Sequence, residues 1–270
     1  MKKLISTDSV GFLGSPEQFL YLYREYFQDA TFDGVEMIAF KPLGRLKNFV
    51  AVLEKSGIAT VSFHGKTAGE NRLPAHYGVV MTIVNSLIFD AWKLAKSFPE
   101  VEFLSHTPYL EKNQIKNFLT KRPPKIFWVE NHAYGKQGID NAIKLIEWYW
   151  KRGLNAQGML DVYHLLAKIP PGDLQKKWST ILDEISGYLK WFRGIHFPIG
   201  TRKNDSLDIE NMSDEMLALF GKKIVSRLDR VVIENQQKNL GLFFSANSAI
   251  NKIKRRNRIN FTRLKKAGIL

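Results

Sequence analysis

Short runs rich in β-branched and aromatic residues alternate along the chain with longer stretches whose apolar positions fall three and four residues apart. The short runs predict strands at residues 3–7, 32–38, 59–64, 101–105, 125–130, 156–161, 192–197 and 230–234. Between them, 45–55, 79–98, 139–151, 174–192 and 213–228 predict helices, as in the stripe Val80, Ile83, Leu87, Ala91, Leu94 and Phe98. Gly57 and Gly153 stand where left-handed C-terminal caps belong. Ser213-Asp214-Glu215 reads as a helix start, a capping hydroxyl followed by acids in the first turn. This is a pattern of repeated βα units rather than a meander. Eight units over about 250 residues have the size of one (β/α)8 TIM barrel of the α/β class, whose active site lies at the C-terminal ends of the strands. No Gly/Ser/Pro-rich linker interrupts the chain, so we expect a single barrel over residues 1–250 and a basic C-terminal tail over 251–270.

Composition narrows the chemistry. The 270 residues are 44% hydrophobic and 24% charged, which excludes a disordered or collagen-like chain. Cysteine is absent, which removes disulfides, thiolate metal sites and a cysteine nucleophile and leaves His, Asp and Glu as metal ligands. No apolar run approaches the roughly 18 to 20 residues that cross a bilayer, and Met1-Lys2-Lys3-Leu4-Ile5-Ser6-Thr7-Asp8 meets an acid before a signal-like core forms. A cytoplasmic protein with no membrane partner is expected. The net charge of +14 suggests a polyanionic partner, but residues 252–270 carry eight Lys or Arg and no acid, leaving only +6 on the rest. With Ile259 and Phe261 interleaved, this tail reads as a nucleic-acid contact, as a solvated end, or as a surface for a partner subunit. Nothing in the sequence marks an oligomer interface.

The chemistry lies where metal-ligand residue types fall along the pattern. His64 ends the third predicted strand, His106 follows the fourth and Glu130 ends the fifth. Asp161 and His164 close the sixth, His196 the seventh and Glu234 the eighth. A lone strand-end histidine is as often a hydrogen-bonded structural residue as a ligand. Seven such groups on one rim are costly to desolvate unless a divalent cation compensates them. His132 in the following loop reads as a mouth-lining or solvent-facing group, and Lys66 as one able to meet an anionic substrate. No phosphate-cradling glycine loop, nucleophile elbow or zinc-protease helix occurs.

With these residues in this order, the sequence resembles the xylose isomerase-like barrel superfamily, which includes sugar and sugar-phosphate isomerases and epimerases and the endonuclease IV type of abasic-site nuclease. The resemblance runs to about Gln237. It implies one divalent metal, Mn, Mg, Zn or Co, held by Glu130, Asp161, His196 and Glu234. Glu130 and Glu234 would serve also as the acid/base pair that moves a proton beside a metal-polarised carbonyl, and His164 would contact a small sugar or sugar-phosphate substrate; apart from the resemblance, the loop positions of His132 and Lys66 make them candidate substrate contacts. Asp33-Gly34-Val35-Glu36 and Glu130-Asn131-His132 are similar to the sugar-acting branch. The nuclease branch is the alternative. His64, His106 and Glu130 match its first metal, but the loop after the seventh strand offers Asp205 without the histidine of its third. A barrel that has lost catalysis and binds a partner is a third reading.

Overall fold

In the computed structural model eight parallel strands hydrogen-bond in sequence order and close into a barrel. They are β1 Lys2–Ser6, β2 Gly34–Ile38, β3 Thr60–Gly65, β4 Glu102–His106, β5 Phe127–Glu130, β6 Ala156–Asp161, β7 Phe192–Ile199 and β8 Arg230–Asn235. The seam pairs Leu4 with Val232 and Ile5 with Ile233. The structure describes residues 1–7, 15–38, 43–65, 91–106, 125–131, 135–166, 169–199, 209, 212–235 and 247–270. Every predicted strand is present, with ends displaced by at most two residues.

The helices are α1 Pro16–Gln28, α2 Leu43–Lys55, α3 Ala91–Ser97, α4 Lys136–Trp150, α5 Val162–Leu166, α6 Pro171–Tyr188, α7 Asp214–Lys223 and α8 Asn247–Lys266. Of the helix predicted over 79–98, residues 79–90 lie outside the described residues. The predicted caps are in place. Ser213 Oγ accepts from Met216 N–H at 3.2 Å, and Gly57 and Gly153 have φ of +73° and +75°, the left-handed region that a Cβ disfavours. The helix predicted over 213–228 stops at Lys223, and a 3-10 turn, Val225–Arg227, leads into β8. Helix α1 was not anticipated. It starts with a reciprocal capping box, Ser15 Oγ accepting from Gln18 N–H and Gln18 Oε1 from Ser15 N–H, and buries Phe19, Leu22, Tyr23 and Tyr26.

Residues 251–270, read from the sequence as a basic tail, form most of α8 and the turn after it. Phe261, Leu264, Ile269 and Leu270 are buried, and the Phe261 ring meets Tyr26 and Phe32 edge-on, with centroids 4.7 and 5.3 Å away. Several cations on the outer side find acids on neighbouring elements: Arg263 Nε donates to Asp214 at 2.7 Å and Lys265 Nζ to Asp29 at 3.0 Å. The high charge had masked an apolar stripe at helical spacing.

Two apolar layers result. One lies between strands and helices. The other fills the barrel interior with Leu4, Leu104, Trp128, Met159 and Val232. Gly194 makes room for it, since a Cβ there would stand 2.8 Å from Met159 Sδ and 3.0 Å from Trp128 Cζ3. Below this layer Arg230, at the start of β8, pairs across the barrel with Glu102 of β4, and Trp128 Nε1–H donates to the same carboxylate at 2.7 Å. Above it, the two-residue period of a strand places Glu130, Asp161 and Glu234 one step beyond Trp128, Met159 and Val232. Among the described residues no helix is long and apolar enough to cross a membrane.

Candidate functional site

The mouth is set by the β register. Asp161 pairs with His196, and Glu130 lies beside His106 and Met159. Each candidate ligand therefore arises from a neighbouring strand, and closure brings the first strands against the last.

Two groups of ligand atoms converge. Glu36, His64, His196 and Glu234 form one, and Glu130, Asp161 and His164 the other; within each, the ligand atoms lie within 4.8 Å of one another. His196 Nε2 is 2.9 Å from Glu36 Oε1, while its Nδ1 is 3.5 Å from both Glu130 Oε2 and Glu234 Oε1. His64 Nδ1 is 3.5 Å from Glu36 Oε1 and 4.0 Å from Glu234 Oε1, and its Nε2 is 3.2 Å from Glu130 Oε2. The rings of His64 and His196 lie 5.2 Å apart, tilted by 31°. Glu36, Glu130, Asp161, Glu234, His64 and His196 are all buried.

The second group is tied down by hydrogen bonds. Asp161 N–H donates to Asn131 Oδ1 at 2.7 Å, and Asn131 Nδ2 donates back to the Asp161 carbonyl at 3.2 Å. Asp161 Oδ1 accepts from His164 N–H at 3.1 Å. His164 Nδ1 lies 2.9 Å from the Asn131 carbonyl, which makes it the protonated ring nitrogen, and 3.4 Å from Asp161 Oδ2. His164 stands on α5, the short helix after β6, rather than on the strand itself.

Burial and neighbouring charges at this spacing shift His64, His196, Glu36, Glu234 and Asp161. For His64, burial opposes protonation, but the negative charges of Glu130 and Glu36 prevail and raise it to about 10. His196 is likewise raised well above its ordinary value, burial being outweighed by Glu234, Glu36 and Glu130. Burial acts on Glu36 in the opposite sense to the two imidazoles, and they win, holding its carboxyl well below the usual range. Glu234 is held up to about 7 by burial, with Asp161 and Glu130 adding to it against His196. Burial and the Glu130 charge raise Asp161. Protons shared among carboxylates and imidazoles thus supply the positive charge that the cluster demands.

A divalent cation suits the same need. The donor set is mixed imidazole and carboxylate, which Zn, Mn and Co accept. Glu36 Oε1 and both ring nitrogens of His196 are buried without a hydrogen bond, despite their short separations, because the angles are wrong for one. A coordinated ion satisfies buried atoms of this kind, taking one nitrogen from each ring.

Of the residues singled out from the sequence, the structure brings together His64, Glu130, Asp161, His164, His196 and Glu234. The expected set Glu130, Asp161, His196 and Glu234 is divided between the two groups, with His196 touching both. His106 ends β4 opposite Glu130; its side chain, together with Lys66, His132 and Asp205, lies outside the described residues. Glu36, Ser62 and Asn131 were not anticipated as site residues. Ser62 Oγ–H donates to Glu36 Oε2 at 3.0 Å. The available signal for Glu36 was a lone carboxylate inside the apolar run Val35–Ile38.

No protein-family model matches the chain, and no curated protein matches it by sequence. Among solved structures it is similar to L-ribulose 3-epimerase, at 12% identity and a TM-score of 0.54, over 99% of this chain and 96% of that one. It is also similar to endonuclease IV from Thermus thermophilus, at 13% identity and a TM-score of 0.52, over 98% and 100%. At these identities the likeness is one of fold. The chain has the closed eight-stranded parallel barrel fold that its alternating strands and helices led us to expect.

Proposed function

We propose that the protein is a divalent-metal-dependent isomerase or epimerase acting on a small sugar or sugar phosphate. The observation that carries this reading is the burial of four carboxylates, Glu36, Glu130, Asp161 and Glu234, with two imidazoles at the C-terminal mouth of the barrel. A bound cation would supply Lewis acidity at the substrate carbonyl.

The chain's own groups do the rest. Glu130 removes a proton from the carbon beside the carbonyl, and Glu234 returns one. His164, held by the Asn131 carbonyl and Asp161, orients a substrate hydroxyl. Lys66 and His132, which follow β3 and β5 in the chain, are assigned to the substrate's polar or anionic end. The burial that raises Glu234 also excludes competing water.

The test is a screen of aldoses, ketoses and their phosphates by proton exchange from deuterated solvent, on protein loaded with Mn, Mg, Zn or Co. Glu130→Gln and Glu234→Gln are expected to lower turnover by about 10²- to 10⁴-fold while retaining the fold. Full turnover in both variants would remove the proton-transfer role.

One contact favours the alternative, an endonuclease IV-like abasic-site nuclease: His64 Nε2 lies 3.2 Å from Glu130 Oε2, two members of the first nuclease metal set. Incision of an abasic duplex, abolished by His64→Ala or His106→Ala, would establish it instead. Failure to bind any divalent cation would leave the non-catalytic binding barrel.

A further inference from the structure

We propose that the cation is seated by Glu36, His64, His196 and Glu234, so that Glu36 and His64 take the places that the superfamily resemblance gives to Glu130 and Asp161. This rests on the metal-dependent reading above and specifies its centre: two imidazoles and two carboxylates from β2, β3, β7 and β8, with Glu130 left beside the ion as the proton-transfer group.

The spacing carries the first part of the argument. A tetrahedral ion with bonds of about 2.0–2.1 Å sets its ligand atoms about 3.3–3.4 Å apart. Taking one atom from each of the four residues, the ligand atoms lie within 4.8 Å of one another, with His196 Nε2 2.9 Å and His64 Nδ1 3.5 Å from Glu36 Oε1, and His64 Nδ1 4.0 Å from Glu234 Oε1. Side-chain rotations within this span bring one atom of each around a single point.

The second part is how the two rival carboxylates are employed. Glu36 has one oxygen engaged by the Ser62 hydroxyl, and the other, Oε1, is buried with no hydrogen bond and faces His196 and His64. A hydroxyl that holds one carboxylate oxygen while the other is presented inward is the way outer partners orient metal ligands. Asp161 is committed elsewhere. Its Oδ1 accepts from His164 N–H, its Oδ2 lies 3.4 Å from His164 Nδ1, and its backbone is locked to the Asn131 side chain. Moving Asp161 into a coordination shell would break contacts that Glu36 does not have to break.

The experiment is a titration of metal-free protein with Co²⁺, followed by visible absorption and by competition with a chromogenic chelator, on wild type, Glu36→Gln and Asp161→Asn. Thermal unfolding of each metal-free variant checks its fold. We expect Glu36→Gln to weaken binding by about 100-fold or more, at least the loss that follows removal of an outer-shell partner, and Asp161→Asn to leave affinity essentially unchanged. Independently of any variant, proton NMR of wild type at one equivalent of Co²⁺ should show two hyperfine-shifted, exchangeable imidazole N–H signals, one each from His64 and His196. A single such signal, or loss of binding in Asp161→Asn with retention in Glu36→Gln, would return the ion to Glu130, Asp161, His196 and Glu234 and overturn this proposal while leaving the proposed function intact. No Co²⁺ binding by wild type would overturn both.

Discussion

His64 and His196 hold protons that a cation must displace, and this links metal binding, pH and stability. The folded value of His64, about 10, lies above its ordinary 6.5. Its contribution to stability is therefore fully present below about pH 6.5 and is lost as the pH climbs towards 10. Glu234, raised from 4.5 to about 7, adds a cost that grows over that interval. Glu36, held low, contributes throughout and loses its effect only on strong acidification. The metal-free protein should thus become less stable from pH 6 to pH 9. Since only unprotonated imidazoles ligate, the gain on adding Zn²⁺ or Mn²⁺ should be larger at pH 8.5 than at pH 6. Thermal unfolding with and without metal at the two pH values checks this, and equal shifts at both would contradict it. At this scale the sequence is a good guide to residues that finish a strand: His64, Glu130, Asp161 and Glu234 stand at or next to a strand end, and His196, three residues before the end of β7, was legible because the β-rich run expected from the sequence stops at Phe197. Glu36 was not, because β2 continues through Met37 and Ile38 and its register against β3 shifts between Val35 and Glu36.

Among the elements, α8 shows how charge can hide packing. The density of Lys and Arg in 252–270 suggests a solvated tail, yet Phe261 is inserted between Tyr26 of α1 and Phe32 before β2. Phe261→Ala should cost about 3–5 kcal/mol, the loss of a fully buried aromatic ring. In a solvated tail the same change would fall within about 0.5 kcal/mol. Urea unfolding of the full chain distinguishes the two. Helix α1 escaped prediction for a related reason: its apolar stripe is carried largely by Phe and Tyr, residues that equally suggest a strand. What commits it to a helix is the Ser15–Gln18 capping box and Pro16 in its first turn. The helices at 43–55, 91–97, 136–150, 171–188 and 214–223 were legible from aliphatic residues recurring at three and four positions, while the single turn and a half of α5 is too short to show that period.

For the whole molecule, an ion pair on the floor of the barrel links strands from opposite sides of it. Arg230 and Glu102, both buried, pair between β8 and β4, with Trp128 donating to the same carboxylate. Arg230→Ala leaves buried Glu102 with only the exposed Lys2 ammonium, 3.7 Å from Oε1, and should cost up to about 3–5 kcal/mol, whereas Arg230→Met combined with Glu102→Gln should recover much of the loss. Chemical denaturation of the single and double variants measures the coupling, and additive losses would mean that the pair contributes nothing as a pair. The eight strands, their order and the ligand residue types near their ends were legible in the sequence alone, because the strand period and residue type are local properties. Which ligands meet was decided only by closure. Glu36 and His64 on the early strands reach His196 and Glu234 on the last ones because β1 hydrogen-bonds to β8, a contact between opposite ends of the chain that no local period encodes.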